Sequence, residues 1–188
     1  MTASPGPAAG APTPPIEIAG GAANATARMA ATRVPVGDDI VERLRRACAE
    51  VTTEPATLAE ASRDWWPLAM TWAVEGQVAA LADVVVRPQS ADEVADVLRI
   101  ANDARIPVTA AAGRSGVCGA SVPVHGGVVL DLTALSGIVD VDDTSLVLDV
   151  HAGTFGNLLE DELRASYDKT LGHRPQSIDL TTVGGWLA

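Results

Sequence analysis

Cysteine is scarce in this chain: among 188 residues only Cys48 and Cys118 occur. They lie far apart without CxxC spacing, so neither a disulfide framework nor a zinc site can be built from them. That shortage fits a reducing, cytoplasmic setting. Basic residues are also few, with 13 Lys and Arg against 24 Asp and Glu and a formal net charge of −11. Nucleic acid and anionic lipid are thereby excluded as main partners, because neither rewards a negative surface. No apolar run approaches the ~20 residues that cross a bilayer. The N-terminus lacks the apolar core of a secretory signal.

What is present is enough apolar residue, 47% of the chain, for a real core. Its distribution is uneven. Over residues 1–35, Pro5, Pro7, Pro12, Pro14 and Pro15 alternate with Ala and Gly. Such a composition cannot offset its ordering entropy by burial, and it reads as a disordered tail. A transit peptide is the rival reading, on Arg28 and Arg33 in an acid-poor stretch.

Order is expected from Asp38. Ile40, Val41, Leu44 and Ala47 recur at helical spacing, and a Trp-rich patch follows at Trp65, Trp66 and Trp72, expected to pack under the next domain. Val84-Val85-Val86 reads as a buried strand. Ser90-Ala91-Asp92-Glu93 is a capping box that opens a helix with Val94, Val97, Leu98 and Ala101 on one face. Ile106, Val108 and Ala110 then begin a second strand, completing a right-handed βαβ unit. Strands at 128–132, 138–141 and 146–151 and a helix around Phe155 to Leu163 follow, so the class is α+β: one βαβ unit, then a mostly antiparallel sheet.

Two loops carry candidate chemistry. The first runs Thr109-Ala110-Ala111-Ala112-Gly113-Arg114-Ser115-Gly116-Val117-Cys118-Gly119-Ala120 as it leaves a strand. Small residues let its backbone curl and bring amides close to an anion, and Ser115 adds a hydroxyl. Loops of this composition are also often plain turns. Neither the GxxxxGK phosphate loop nor GxGxxG opening a helix is present.

The second loop is Gln176-Ser177-Ile178-Asp179-Leu180-Thr181-Thr182-Val183-Gly184-Gly185. Thr181 and Thr182 can cap a helix whose first turn holds Gly184 and Gly185, a ready anion site. Two such loops can grip the two phosphates of a diphosphate from different sides. Among the histidines, His151 and His125 read as structural and solvated; His173, just before the second loop, has the best claim to a ligand. Cys118 reads as a small packed residue. Asp140, Asp142, Asp143 and Asp149 read as a solvated face, since a Ca²⁺ loop needs denser oxygen spacing.

Taken together, Val84-Val85-Val86-Arg87-Pro88, Gly113-Arg114-Ser115-Gly116, Gly126-Gly127-Val128-Val129-Leu130-Asp131-Leu132, Val150-His151-Ala152-Gly153 and Ser177 to Gly185 stand in one order over about 100 residues. That order resembles the FAD-binding domain of the vanillyl-alcohol oxidase / p-cresol methylhydroxylase family. Within it, Ser62-Arg63-Asp64-Trp65 and Thr170 to Ser177 look most like the alkyldihydroxyacetonephosphate synthase branch; the D-lactate dehydrogenase / glycolate oxidase branch is also similar. The resemblance implies that Thr109 to Ser115, with Gly116, Gly119 and Ala120, wraps the FAD diphosphate, and that Gln176 to Thr182 with Gly184 and Gly185 supply a second wall. Three alanines stand where the family's first loop is richer in glycine. No histidine stands in that loop, so FAD is expected to be held non-covalently.

The division implied is a tail over 1–35, a helical segment over 36–82 and the FAD-binding domain over 83–188. The resemblance also implies that substrate-binding and catalytic residues lie beyond Ala188, so no catalytic residue is named and this chain alone is expected to bind FAD weakly. The activity implied is oxidoreduction of a hydroxy acid, or chemistry on an acylated dihydroxyacetone phosphate. The alternative is a non-catalytic flavin- or nucleotide-binding module. Partners are FAD and a small-molecule substrate, with a homodimer left open.

Overall fold

The structure, a computed structural model, describes residues 10–188. Residues 1–9 of the segment read as a tail lie outside the described residues. The elements are β1 (Thr26–Ala27), α1 (Asp38–Ala47), β2 (Val51–Thr52), α2 (Pro55–Ala61), α3 (Pro67–Val74), β3 (Gln77–Val78), β4 (Val84–Val86), α4 (Ala91–Ala104), β5 (Val108–Ala111), β6 (Val128–Asp131), β7 (Ile138–Asp142), β8 (Val147–Val150), α5 (Gly156–Tyr167) and α6 (Val183–Leu187).

Two runs of consecutive buried residues, Val84-Val85-Val86 and Val128-Val129-Leu130, set the centre of the fold. A strand buried at every position needs cover on both faces. On one face α1 and α4 supply Ile40, Leu44, Val97 and Ala101 against Val84, Val86, Val128 and Leu130. On the other, α2 brings Ala61 against Val85 and Val129. The sheet order is β2-β4-β6-β5, with β4, β6 and β5 mutually parallel and β2 antiparallel at the edge.

The strand–helix–strand unit β4-α4-β5 forms with its strands parallel, and β6 inserts between them. The 128–132 run was expected to open the antiparallel part. Its lack of polar alternation is the reason it sits instead at the centre of a covered parallel sheet. Antiparallel pairing is confined to the β7–β8 hairpin and the β2–β4 edge.

The capping box forms in a modified version. Ser90 Oγ accepts from the Glu93 amide at 3.2 Å, while Glu93 Oε2 accepts from the Gln89 amide at 3.0 Å, one residue earlier than the usual reciprocal bond. α4 ends on Arg105 in a left-handed conformation (φ 55°).

Residues 10–35 lie against this body, which their composition did not indicate. Ile18 is buried between Ala59, Ala73 and Val78, and β1 pairs in parallel with β3. Arg63 Nη1 donates to the Ile16 carbonyl at 2.6 Å, and Trp65 Nε1 donates to the Thr13 carbonyl at 3.0 Å. A count of Pro, Gly and Ala hides the isoleucines Ile16 and Ile18, which give this segment its anchor. The tryptophans pack as expected: Trp66 and Trp72 meet edge to face, centroids 5.4 Å apart, over Ala79, Ala80 and Val122.

Candidate functional site

The two loops singled out by sequence come together at one spot. The first leaves the carboxyl end of β5, and Gly113 rests directly on the second: a Cβ built on Gly113 would stand 2.3 Å from the Leu180 carbonyl oxygen and 3.4 Å from Thr181 Cα. Only a residue without a side chain allows backbone and backbone to approach so closely.

The hydrogen bonding of the first loop is unusual. Gly113 is buried and Arg114 and Ser115 are half-buried, yet none of the amides from Gly113 to Ser121 donates to any group among the described residues. Gly116, Val117, Cys118 and Ala120 are exposed, so this run leaves its amides open to a group approaching from outside. Arg114 adopts the left-handed conformation (φ 52°), which turns the loop. Its guanidinium donates to Asp131 Oδ2 at 3.1 Å, both side chains being nearly buried. Asp131 Oδ1 in turn accepts from the Thr133 amide at 3.0 Å and from Thr133 Oγ1 at 2.6 Å, and Arg87 Nε donates to that hydroxyl. Arg114 therefore anchors the loop to the end of β6 instead of presenting a free charge.

The second loop is held differently. The amides of Val183 and Gly184, at the start of α6, donate to the carbonyls of Thr154 and Ala152, and Thr182 at the cap position makes no side-chain cap bond. The expected anion site at this helix start is thus used up inside the fold. Gly184 serves close packing, since a Cβ there would stand 2.9 Å from Ala152 Cβ. Thr181 Oγ1 accepts from Trp186 Nε1 at 2.7 Å. What faces the first loop is the turn from Ser177 to Thr181, closed by the Leu180 and Thr181 amides donating to the Ser177 carbonyl.

Sequence reasoning missed two polar side chains here. Asp64 is 1% exposed; its Oδ1 accepts from the Trp66 amide, but its Oδ2 has no hydrogen-bond partner among the described residues and lies by Gly116 of the first loop. The neighbouring Trp65 amide donates to the Gly116 carbonyl at 2.9 Å. Asn157, on α5, donates its backbone N–H to the Ile178 carbonyl, and its buried side-chain Oδ1 has no partner among the described residues. Asp64 stands in Ser62-Arg63-Asp64-Trp65, which carries part of the resemblance but assigns it no role, and it reaches the loop across about fifty intervening positions; no motif signals Asn157.

His173 is exposed, beside Arg174 in a shallow cavity of about 220 Å³ that also includes Glu160 and Thr170. His151 and Cys118 are exposed, and the cysteine packed in the core is Cys48, whose thiol pKa is pushed up by burial. Cys118 therefore departs from the packed role expected of it. A larger cavity, about 500 Å³, opens at the carboxyl ends of β4 and β6 beside Asp131, lined by Val51, Thr52, Val85, Arg87 and Thr133. Open α/β sheets take ligands at this end.

The segment leading into the second loop is fixed by Glu160 of α5. Its carboxylate accepts from Thr170 Oγ1 at 2.6 Å, from the Leu171 amide at 3.0 Å and from Arg164 Nε at 2.6 Å. These donors hold its pKa down to about 2, the Thr170 hydroxyl first among them. A carboxylate with a lowered folded-state pKa stabilises above its ordinary value and loses that contribution as pH falls toward the folded one. Denaturant midpoints of the protein are expected to fall between about pH 5 and pH 2. In Glu160→Gln part of that slope should vanish; an unchanged slope would contradict the assignment.

Small-residue loop, orphaned amides and a parallel sheet with a ligand-sized cavity at its carboxyl end define a dinucleotide-type cofactor-binding domain of α+β class. The chain belongs to the FAD binding domain family, whose signature matches residues 82–188, and FAD is its cofactor. A D-lactate dehydrogenase of Anaerostipes hadrus is 33% identical over 110 residues, which is 58% of this chain and 22% of that protein. The alkyldihydroxyacetonephosphate synthase of Dictyostelium discoideum is 31% identical over 116 residues, 60% of this chain and 19% of that protein. Glycolate oxidase subunit GlcD of Bacillus subtilis (strain 168) is 29% identical over 111 residues, 58% of this chain and 23% of that protein. The chain spans about a fifth of the length of these curated relatives.

The fold is shared with a solved alkyldihydroxyacetonephosphate synthase, TM-score 0.79 at 23% identity, over 95% of this chain and 35% of that one. It is also shared with p-cresol methylhydroxylase, TM-score 0.58 at 21% identity, over 72% of this chain and 26% of that one. Among the described residues no helix is long and apolar enough to cross a membrane, and no cluster of His, Cys, Asp and Glu could hold a metal ion.

Proposed function

We propose that this chain supplies the FAD-binding part of a flavin-dependent oxidoreductase acting on a hydroxy acid or an acylated dihydroxyacetone phosphate. One observation supports the cofactor site: the amides of Gly113, Arg114 and Ser115 have no acceptor among the described residues, and a diphosphate is an acceptor-only group. On this reading the stretch from Thr109 to Ser115, with Gly116, Gly119 and Ala120, wraps the diphosphate. The turn from Gln176 to Thr182 forms the second wall, and Gly184 and Gly185 let that wall close on Ala152. The cavity of about 500 Å³ is large enough for the adenosine half. When bound, FAD supplies two-electron chemistry at its ring, and the protein's part is to bind and orient it.

The substrate classes rest on the names of the relatives, which are a D-lactate dehydrogenase, a glycolate oxidase subunit and an alkyldihydroxyacetonephosphate synthase. The reading includes a small-molecule substrate, a cytoplasmic setting and a division into residues 1–35, 36–82 and 83–188. Light scattering decides whether the protein pairs as a homodimer.

Non-covalent binding is supported by the first loop, which has no histidine between Thr109 and Ala120. Titration of the purified chain with FAD is expected to quench flavin fluorescence at a stoichiometry of one. Acid precipitation is expected to release all the flavin into the supernatant. No quenching at any concentration would refute the site, and flavin remaining with the pellet would refute the mode of attachment.

A further inference from the structure

The segment Ser62-Arg63-Asp64-Trp65-Trp66 is buried under the first loop, and nearly all its polar groups are engaged. Ser62 Oγ donates to the Leu58 carbonyl and accepts from the Ala82 amide. Arg63 is bonded to Glu60 and to the Ile16 carbonyl. The exception is Asp64 Oδ2, an acceptor with no donor among the described residues, in a side chain that is almost completely inaccessible. It lines a cavity of about 160 Å³ that Thr13 also lines, and the Thr13 hydroxyl is likewise buried and without a partner among the described residues. Arg63, Glu60 and Arg114 complete the polar lining, and their charges are satisfied by one another and by Asp131. The remaining wall is Pro12, Pro14 and Pro15.

An isolated carboxylate oxygen in such a place demands a donor. A diphosphate has none, so the cavity is unsuited to the anion that the neighbouring loop would hold. It suits an uncharged, hydroxyl-bearing group attached to that anion. Its volume is that of roughly five waters at ~30 Å³ each, room for a slender polyol chain but not for an adenosine. We propose that Asp64 and Thr13 form a binding site for the hydroxyls of the ribityl chain, next to the diphosphate loop. Asp64 accepts from one hydroxyl, and Thr13 Oγ1 exchanges a hydrogen bond with another. The proposal rests on the assignment of the diphosphate to the first loop.

The test compares FAD with ADP, which shares the diphosphate and adenosine but has no ribityl chain. Calorimetric titration of the full chain should show FAD binding more tightly than ADP. Asp64→Asn keeps the acceptor for the Trp66 amide and replaces the orphaned oxygen with a donor. FAD affinity should drop about tenfold or more, the usual effect of losing a hydrogen bond to a charged group, with ADP affinity unchanged. Thr13→Val keeps the carbonyl that Trp65 uses and should weaken FAD a few-fold, again sparing ADP; it carries the test if Asp64→Asn does not fold.

Equal loss of FAD and ADP would assign Asp64 to shaping the loop and overturn the proposal. So would variants that bind FAD as well as the parent. If the parent chain bound neither ligand, the diphosphate assignment itself would fall, and the ribityl site with it.

Discussion

Gly113→Ala is expected to lower FAD affinity by about ten- to a hundredfold, the equivalent of the 1–3 kcal/mol that overpacking typically costs. The added methyl would stand 2.3 Å from the Leu180 carbonyl oxygen, and that neighbour is backbone, which cannot rotate away. The two loops must then part by about 1 Å to restore ordinary contact distances. The amides from Gly113 to Ser115 would turn with them, and the cradle loses its shape. The melting midpoint without ligand should also fall, by about 2–4 °C for each kcal/mol of overpacking, and the loss of affinity is read at a temperature well below that midpoint. Fluorescence titration of parent and variant reads the effect. Binding equal to the parent would mean that the junction of the two loops is not where the diphosphate sits.

Gly153→Ala should have the largest effect on stability, about 3 kcal/mol at the upper end of the overpacking range. Its Cβ would stand 1.9 Å from the Leu132 carbonyl oxygen and 2.7 Å from that of Leu135. The Gly153 amide donates to the Leu135 carbonyl at 2.9 Å, and the Gly137 amide donates to Thr154 Oγ1. This is where the β7–β8 hairpin returns to the end of β6, so pushing it outward breaks both bonds. Gly137→Ala is the matched control. Nothing lies within 4 Å of a Cβ there, so only its left-handed conformation (φ 111°) resists the change, at about 1–2 kcal/mol. Urea unfolding of the two variants separates steric from conformational cost. Equal midpoints would show that the close approach at Gly153 relaxes without loss.

Much of this architecture can be read from residue order. Apolar spacing marks α1 and α4, the capping box marks the start of α4, and Ser136-Gly137 with Asp142 to Thr144 mark the ends of the hairpin strands. All of these are local signals, set by groups within a few residues of one another. What remained hidden depends on distance along the chain. Nothing in Val128-Val129-Leu130 says which strands flank it. Val51-Thr52 is too short to stand out as the edge strand it becomes.

The candidate site divides in the same way. The first loop announces itself by its small residues and its position after a strand. Gly184, by contrast, looks like part of an anion-binding helix start, and its real neighbour is Ala152. Asp64 and Thr13 give no local sign of a binding role, because their significance comes from what fails to reach them. Tertiary satisfaction of hydrogen bonds is a property of the folded whole and leaves no local trace.

The insertion of β6 between β4 and β5 bears on how the protein is made. During synthesis β4, α4 and β5 leave the ribosome first, yet the two strands have no hydrogen bonds to each other. They must wait, edges open, until residues 128–131 arrive to join them. Closure of the sheet is therefore a late, long-range event, of the kind that slows folding and exposes strand edges to wrong partners. Ribosome stalling just before β6 should leave a nascent chain that chaperones hold, and release should come within a few codons of the strand's emergence.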